Sequence, residues 1–380
     1  MIIKELELHN FRNYKSLNLE FSQSINVIYG KNGYGKTNLL EAMFLCCIGK
    51  SFKAIKDEEL IQYGENSYKV KIRTGDSLCN SISVYYEKNK SKYIEIDGVY
   101  IDKLRMLFGN LIGIMFSPES MRIVTDGPLY RRKLLDIALC QIKKDYYFSL
   151  MMYNKFCKEK GILLEQRRSG DDLELEVINE KIAEYGSAIA VDRYEFVKQL
   201  NEIAGKYYSF IFDKEESVTM RYYPYIHSLN AAIGEKAAAG DMSEFSVEKV
   251  KNAFLEELSD ERLKKRERDF GKNLIGIQRD DIGMDLGGNS LRSFGSQGQK
   301  RSYAIAIKMA ELEVLREKSG RTPVLFLDDV LSELDNTRKS KIVELTKNIQ
   351  TIYTCTDREM MRPSNTGNIP VNFIDVEKLR

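Results

Sequence analysis

Gly30-Lys31-Asn32-Gly33-Tyr34-Gly35-Lys36-Thr37 fits the pattern G-x-x-x-x-G-K-[ST]. It lies between a short apolar run, Ile25 to Tyr29, and an almost wholly apolar stretch, Leu39 to Ile48, that stops at Gly49. A strand entering such a loop and a helix leaving it is the context that gives the pattern meaning. The glycines let successive backbone N–H groups turn inward on phosphate oxygens, and the helix adds the partial positive charge of its N-terminus. In that arrangement Lys36 reaches the β- and γ-phosphates and the Thr37 hydroxyl ligates magnesium. The expected fold class is therefore α/β, with a nucleoside triphosphate and Mg2+ as cofactors. The same segment is a poor dinucleotide fingerprint, because Asn38 stands where a third glycine is needed.

Composition narrows the alternatives. The 380 residues carry 58 Lys+Arg against 56 Asp+Glu, a net charge of +2, so a uniformly basic coat is excluded while a local basic face is not. The two histidines, His9 and His227, lie far apart, which argues against a histidine-built zinc site or catalytic triad. Six cysteines, at 46, 47, 79, 140, 157 and 355, form no C-x-x-C and are expected to be reduced core residues. The charged, alternating start is no signal peptide, and no apolar stretch approaches the roughly 20 residues of a membrane helix. A cytoplasmic protein is expected.

Texture divides the chain in three. Residues 1–117 read as mainly β with one buried helix, and Asp97-Gly98 between alternating flanks signals a hairpin. Residues 118–270 are rich in Glu, Lys, Leu and Ala, with helices expected over Leu134–Ile142, Tyr146–Lys160, Leu173–Ala204 and Val247–Arg268. At 1.5 Å per residue this inserted helical domain is a lever or lid of at most about 60–70 Å. From 271 to 380 short strands return. The expected organisation is a head split between 1–117 and 271–380, with 118–270 inserted.

Two further motifs belong with the loop. Val324-Leu325-Phe326-Leu327 is a buried strand ending in Asp328-Asp329. Asp328 would hold magnesium from the side opposite Thr37, and Asp329 would face the γ-phosphate and polarise the attacking water. Phe294-Gly295-Ser296-Gln297-Gly298-Gln299-Lys300-Arg301 opens a long helix, so Ser296, Gly298 and Gln299 would offer free N–H groups and a hydroxyl to an anion. This resembles the signature motif of ABC-type ATPases, which completes the nucleotide site of the opposite subunit. Ser332-Glu333-Leu334-Asp335 resembles the dimer-crossing loop of that class. Asp269-Phe270-Gly271 spells a kinase tripeptide, but no H-R-D precedes it, and it is read as coincidence.

The gap of 260 positions between Lys36 and Ser296 is too long for a transporter subunit and too short for a long coiled-coil arm. With Leu6–Tyr14, Gly49-Lys50-Ser51-Phe52, Asp57–Ile61, Phe116-Ser117-Pro118-Glu119, Arg131–Asp136, Gln278-Arg279-Asp280-Asp281 and the run Pro323–Asp335, the chain resembles the RecF family of bacterial recombination mediators over almost its whole length. Two departures stand out. Gln278 replaces a histidine usual in the family, and Thr354-Cys355-Thr356-Asp357 stands where other ABC ATPases carry a switch histidine.

The resemblance implies an ABC-type, SMC-like head with a β-rich subdomain and the helical insertion. It implies an ATP-induced homodimer on duplex DNA near single-strand gaps, acting with RecO and RecR in loading RecA, within DNA damage repair, replication restart and the SOS response. Catalysis would rest on Lys36, Asp329 and Ser296 in trans, and ATP binding on residues 30–37 with Arg12, Asn13, Ser296, Gly298 and Gln299. Magnesium would be held by Thr37 and Asp328, with Glu119 either reaching toward it or structural. Because Asp329 is one methylene shorter than the usual glutamate, weak hydrolysis that resets a switch is expected. Arg131, Arg132, Lys133, Lys53 and Lys56 are the candidate DNA contacts, whereas Arg262, Lys264, Lys265, Arg266 and Arg268, diluted by acids, read as a solvated helix face. The competing readings are another ABC-type DNA clamp without the mediator role, a transporter ATPase, a small-molecule P-loop enzyme, and a DNA-binding protein with a vestigial nucleotide site.

Overall fold

A computed structural model describes residues 1–75, 78–166, 172–212, 216–226, 229, 245–361 and 370–379; His227 lies outside them. Along the chain come β1 (Ile3–Phe11), β2 (Tyr14–Glu20), β3 (Ile25–Tyr29), α1 (Lys36–Ile48), β4 (Ser67–Thr74), β5 (Ser81–Glu87), β6 (Tyr93–Ile96), β7 (Val99–Tyr100) and β8 (Gly113–Phe116). The middle contains α2 (Pro128–Ile142), α3 (Lys144–Gln166), α4 (Asp172–Phe212), β9 (Val218–Tyr223), α5 (Val247–Ser259), α6 (Glu261–Phe270), β10 (Asp281–Leu286) and β11 (Asn289–Ser290). The chain ends with α7 (Gln297–Ser319), β12 (Val324–Asp328), α8 (Asn336–Thr346), β13 (Thr351–Cys355) and β14 (Val371–Asp375).

The chain divides into two compact units. Residues 1–122, 204–216 and 296–380 form the first, and 123–203 and 217–295 the second. These boundaries differ from the expected ones for a physical reason. β10 pairs antiparallel with β9 from Asp281↔Tyr223 to Leu286↔Val218, so 271–295 go with the second unit, which carries a three-stranded sheet and is not purely helical. The helix expected over Val247–Arg268 is two helices. Asp260 is extended and its carboxylate accepts the amides of Arg262 and Leu263, capping α6 and ending α5.

The first unit contains an antiparallel sheet, ordered β2-β1-β4-β5-β6-β7, and a parallel one, ordered β14-β3-β13-β12-β8. Asp97 and Gly98, both with positive φ, make the two-residue turn between β6 and β7. Helix α1 touches strands of both sheets and is buried along its length, which explains its lack of an amphipathic pattern. Its ring Phe44 meets Phe326 of β12 edge to face at 6.0 Å. A side chain at Gly113 of β8 would come within 2.7 Å of Cys47 Sγ and 2.8 Å of the Phe326 ring, so close approach demands glycine there. β12 and β13 are buried at every residue.

The second unit is centred on Arg193 of α4, 2% exposed. It is bonded to Asp136 at 2.8 Å, Asp280 at 2.9 Å, the Tyr146 hydroxyl at 3.0 Å and Ile277 O at 2.8 Å. Tyr222 also donates to Asp280, so this buried charge cluster is fully hydrogen-bonded. Lys160, also buried in this unit, lies 2.7 Å from Glu267. Gln278, in place of the family histidine, accepts the Tyr153 hydroxyl and donates to Ile275 O at 2.7 Å, a structural part within this unit.

Candidate functional site

The site lies where parallel strands end. β3 runs into the loop 30–37, and its neighbours β13 and, beyond it, β12 bring Thr354 and Asp328 to the same edge. A crevice at the carboxyl ends of parallel strands is where open α/β sheets take ligands.

Gly30, Gly33 and Gly35 have φ of 141°, 84° and 100°, which lets the loop curl around its own interior. The Lys36 ammonium fills that interior, donating to Gly30 O at 2.6 Å, Lys31 O at 3.0 Å and Asn32 Oδ1 at 3.4 Å. Burial pushes its pKa down, against the opposing pull of Asp329, Cys355, Asp328 and Glu377. Thr37 donates its hydroxyl to Asp328, 2.9 and 3.0 Å from the two oxygens. Burial pushes the Asp328 carboxyl up, opposed by hydrogen bonds from Thr354 and Thr37 and by the charge of Lys53.

Asp329 has a positive φ of 52°, a strained conformation for a non-glycine residue, and its Oδ1 is buried without a hydrogen-bond partner. Thr354 holds it in place by accepting its amide at 2.9 Å while donating to Asp328 at 2.7 Å. A hydroxyl, a carboxylate and an unpartnered buried oxygen are hard oxygen donors that suit Mg2+, which keeps several waters and takes phosphate oxygens as further ligands. Thr37 and Asp328 are the residues that would hold it.

The loop is propped by groups that the sequence pattern does not announce. Asn13 Nδ2 and the Tyr14 hydroxyl donate to Tyr34 O at 3.2 and 3.3 Å, and Asn38 donates to Asn13 Oδ1 at 2.8 Å. A side chain at Gly35 would lie 2.5 Å from Asn13. Glu377 accepts the Lys31 amide at 3.1 Å and faces the Lys31 ammonium at 3.6 Å, while Val376 would be 2.7 Å from a side chain at Gly30. Arg12 is committed to the buried Glu41, donating twice at 2.9 Å, and to Glu59 O at 2.7 Å. Ser51 donates to the same Glu41.

Ser296 caps α7 through a reciprocal capping box. Its hydroxyl accepts the Gln299 amide at 3.2 Å, and Gln299 Oε1 accepts the Ser296 amide at 2.8 Å. Gln299 Nε2 is aimed by Glu216 at 3.0 Å, which also accepts the Tyr208 hydroxyl at 2.9 Å. Beside Gly298 stands Arg338, about 4 Å from where a side chain would begin, stacked 5.1 Å from the Phe212 ring centroid and tied to Asp335 at 3.1 Å.

The five expected DNA contacts fare differently. Arg131 is only 4% exposed. It forks onto Asp281 at 2.6 and 3.0 Å and donates to Ile123 O and Asp126 O, so it cannot reach a DNA phosphate without giving up these bonds and leaving the interior; its expected role is corrected to a structural one. Arg132 is half-buried and donates to Asp280 O at 2.7 Å, and Lys133 is exposed. Lys53 and Lys56 are exposed, and Glu119 is exposed on the turn Pro118–Met121 that follows β8, the neighbour of β12.

A parallel sheet with a phosphate-binding loop on one strand and a magnesium-type acid two strands away, with a signature turn elsewhere in the same unit, defines an ABC-type ATPase head. The family model described as the RecF/RecN/SMC N-terminal domain matches residues 2–373. The DNA replication and repair protein RecF of Acetivibrio thermocellus is 38% identical over 371 residues, covering 97% of this chain and 96% of that protein. RecF of Clostridium tetani is 37% identical, covering 95% of each. A solved structure of the recombination mediator protein RecF-ATP in the RecFOR pathway superposes with a TM-score of 0.84 at 31% identity, over 95% of this chain and 93% of that one. An Smc head domain bound to the C-terminal domain of ScpA shares the fold at 15% identity and a TM-score of 0.51. The chain belongs to the RecF family. Among the described residues no helix is long and apolar enough to cross a membrane.

Proposed function

We propose that this chain is an ATP-gated DNA-binding protein of recombinational repair and replication restart, which dimerises around two Mg–ATP and works with RecO and RecR in loading RecA. The observation that carries the reading is the meeting of Thr37 with Asp328 beside the unpartnered carboxylate oxygen of Asp329. Residues 30–37 would wrap the phosphates, with Lys36 turning from its own loop's carbonyls to the β- and γ-phosphates. Magnesium, once bound, would neutralise phosphate charge. Asp329 would accept a proton from, or orient, the attacking water, and its short side chain supports slow turnover suited to a switch. Ser296, Gly298 and Gln299 would close the partner subunit's pocket, so that nucleotide binds the dimer better than the monomer. Glu119 would approach the magnesium side and Asn13 the base or α-phosphate, while Arg12, bonded to Glu41 and Glu59 O, would reach the nucleotide only by exchanging those bonds. Lys133, Lys53 and Lys56 are exposed cations for duplex phosphates. The protein would work in the cytoplasm, at the nucleoid.

Light scattering with and without ATP tests the reading. The wild type should double in mass with ATP, Ser296→Arg should not, and mixing Ser296→Arg with Lys36→Ala should restore about one working site per pair. Strictly monomeric ATP-saturated protein, with or without duplex, would overturn it.

A further inference from the structure

Within the second unit, Arg262 and Arg266 of α6 and Arg279, on the turn that precedes β10, line one cleft of about 330 Å³ together with Tyr225, Glu257 and Asp260. All three arginines are exposed, and among the described residues none has a carboxylate within ion-pair distance. Asp260 is occupied otherwise, its Oδ1 accepting the amides of Arg262 and Leu263 at 2.6 and 3.1 Å.

The arrangement is electrostatically costly for a bare helix. Arg262 and Arg266 stand four apart, so like charges share one face of α6, which disfavours the helix. Arg262 also sits in the first turn, at the end where the helix dipole repels a cation. A face that only needed to be solvated would place these cations in the last turn and pair them with acids. Arg279 is preset in addition. Its guanidinium lies 5.5 Å from the centroid of the Tyr225 ring, and the Tyr225 amide is fixed at 2.9 Å to Asp280, itself held by the buried Arg193.

Three guanidinia on two separate elements, without an ion pair among the described residues and converging on a concave surface with one of them stacked on an aromatic ring, suit an anion with several oxygens in a row. We propose that this cleft grips consecutive phosphodiester groups of a nucleic-acid backbone. The proposal rests on the reading of the chain as a DNA-binding protein and gives that reading a contact site in the second unit. It also replaces the solvated-face reading of the cluster for Arg262 and Arg266. Contacts of this kind hold the backbone and read no base, so they tolerate any sequence.

The test is a salt series of duplex binding, by anisotropy of a labelled gapped duplex in the presence of ATP. Arg262→Ala/Arg266→Ala/Arg279→Ala should bind at least about tenfold more weakly, and the slope of log affinity against log salt should flatten by about 0.9 per lost phosphate contact, roughly 2–3 in all. A control that removes the same charge from exposed Lys158, Lys198 and Lys272 of the same unit should keep the wild-type slope. The triple Lys variant at the three arginines should keep most of the slope. ATP-induced mass should be unchanged in every variant, and the melting temperature should fall in none. A wild-type slope in the triple Ala variant, or an equal flattening in the control, would overturn the cleft while leaving ATP-gated DNA binding intact. A wild type that fails to hold DNA with ATP would overturn the functional reading and the cleft with it.

Discussion

Thr354 donates its hydroxyl to Asp328 at 2.7 Å, and the same oxygen accepts the amide of Asp329 at 2.9 Å. One side chain thus orients the carboxylate assigned to magnesium and fixes the strained backbone of the carboxylate assigned to water. Thr354→Val keeps the shape and removes both bonds. It should lower the hydrolysis rate by about tenfold or more with little change in KM, since about 1.4 kcal/mol of misplacement is tenfold in rate. Thr354→Ser should restore most of it. Stability should fall by about 1–3 kcal/mol, the cost of leaving a buried amide and carboxylate short of a partner. Steady-state kinetics and urea unfolding read the two effects separately.

Arg131 and Lys133 are near neighbours in one helix with opposite expected phenotypes. Arg131→Ala breaks the fork onto Asp281 and should cost about 3 kcal/mol of stability in a urea melt. Lys133→Ala should leave stability within about 0.5 kcal/mol of wild type. Any effect of Lys133→Ala on DNA affinity should fade with salt.

The Lys160–Glu267 pair, with side chains 1% and 3% exposed, predicts a pH signature. Burial lowers the Lys160 pKa below its ordinary 10.5, with Glu267 pulling the other way. Below the lowered value the folded protein carries the whole cost of burying the ammonium. Between that value and 10.5 the unfolded chain holds a proton that the folded chain has shed, so this group's contribution to stability rises with pH across that window. Glu267→Gln removes the opposing pull and should make the rise begin at lower pH. The single change should cost about 3–5 kcal/mol at pH 7, whereas Lys160→Met/Glu267→Gln, which removes both charges and keeps an acceptor for the Leu274 amide, should cost less. Urea midpoints from pH 7 to 10 check both statements.

Cysteine chemistry supplies a check on the site that needs no nucleotide. Burial pushes the Cys355 thiol up to about 11, against the pull of Lys36. At pH 8 only about one molecule in a thousand carries its thiolate. All six cysteines are free and all but Cys157 are buried. Native protein should therefore titrate slowly with a thiol reagent, Cys157 first, and give six thiols at once in denaturant. Rapid loss of Cys355 in the native state, read by mass spectrometry, would contradict the buried placement.

What could be read from sequence was what is written in neighbouring residues. The octapeptide 30–37, the apolar run into Asp328 and the Ser296 cap are local patterns whose element types follow from a few adjacent side chains, and the α/β head followed from them. Glu377 on the Lys31 amide and Glu216 on Gln299 join residues 346 and 83 positions apart, and nothing in either segment marks the pairing. Arg131 misled because a run of three basic residues does not tell which face of its helix is turned inward. β9 was missed although Val218, Met220 and Tyr222 alternate with less buried neighbours, because the segment is short, follows a long helix and has its partner β10 far along the chain.

The position of β3 bears on how the protein is made. It is synthesised long before its sheet partners β13 and β14, so the nascent segment leaves the ribosome with both edges bare. Such a chain buries its phosphate loop only after β13 has emerged, and pairing across so great a sequence distance is slow. Early release, as from a transcript cut short ahead of β13, would give polypeptide with an unprotected strand, suited to capture by chaperones or to aggregation and not to nucleotide.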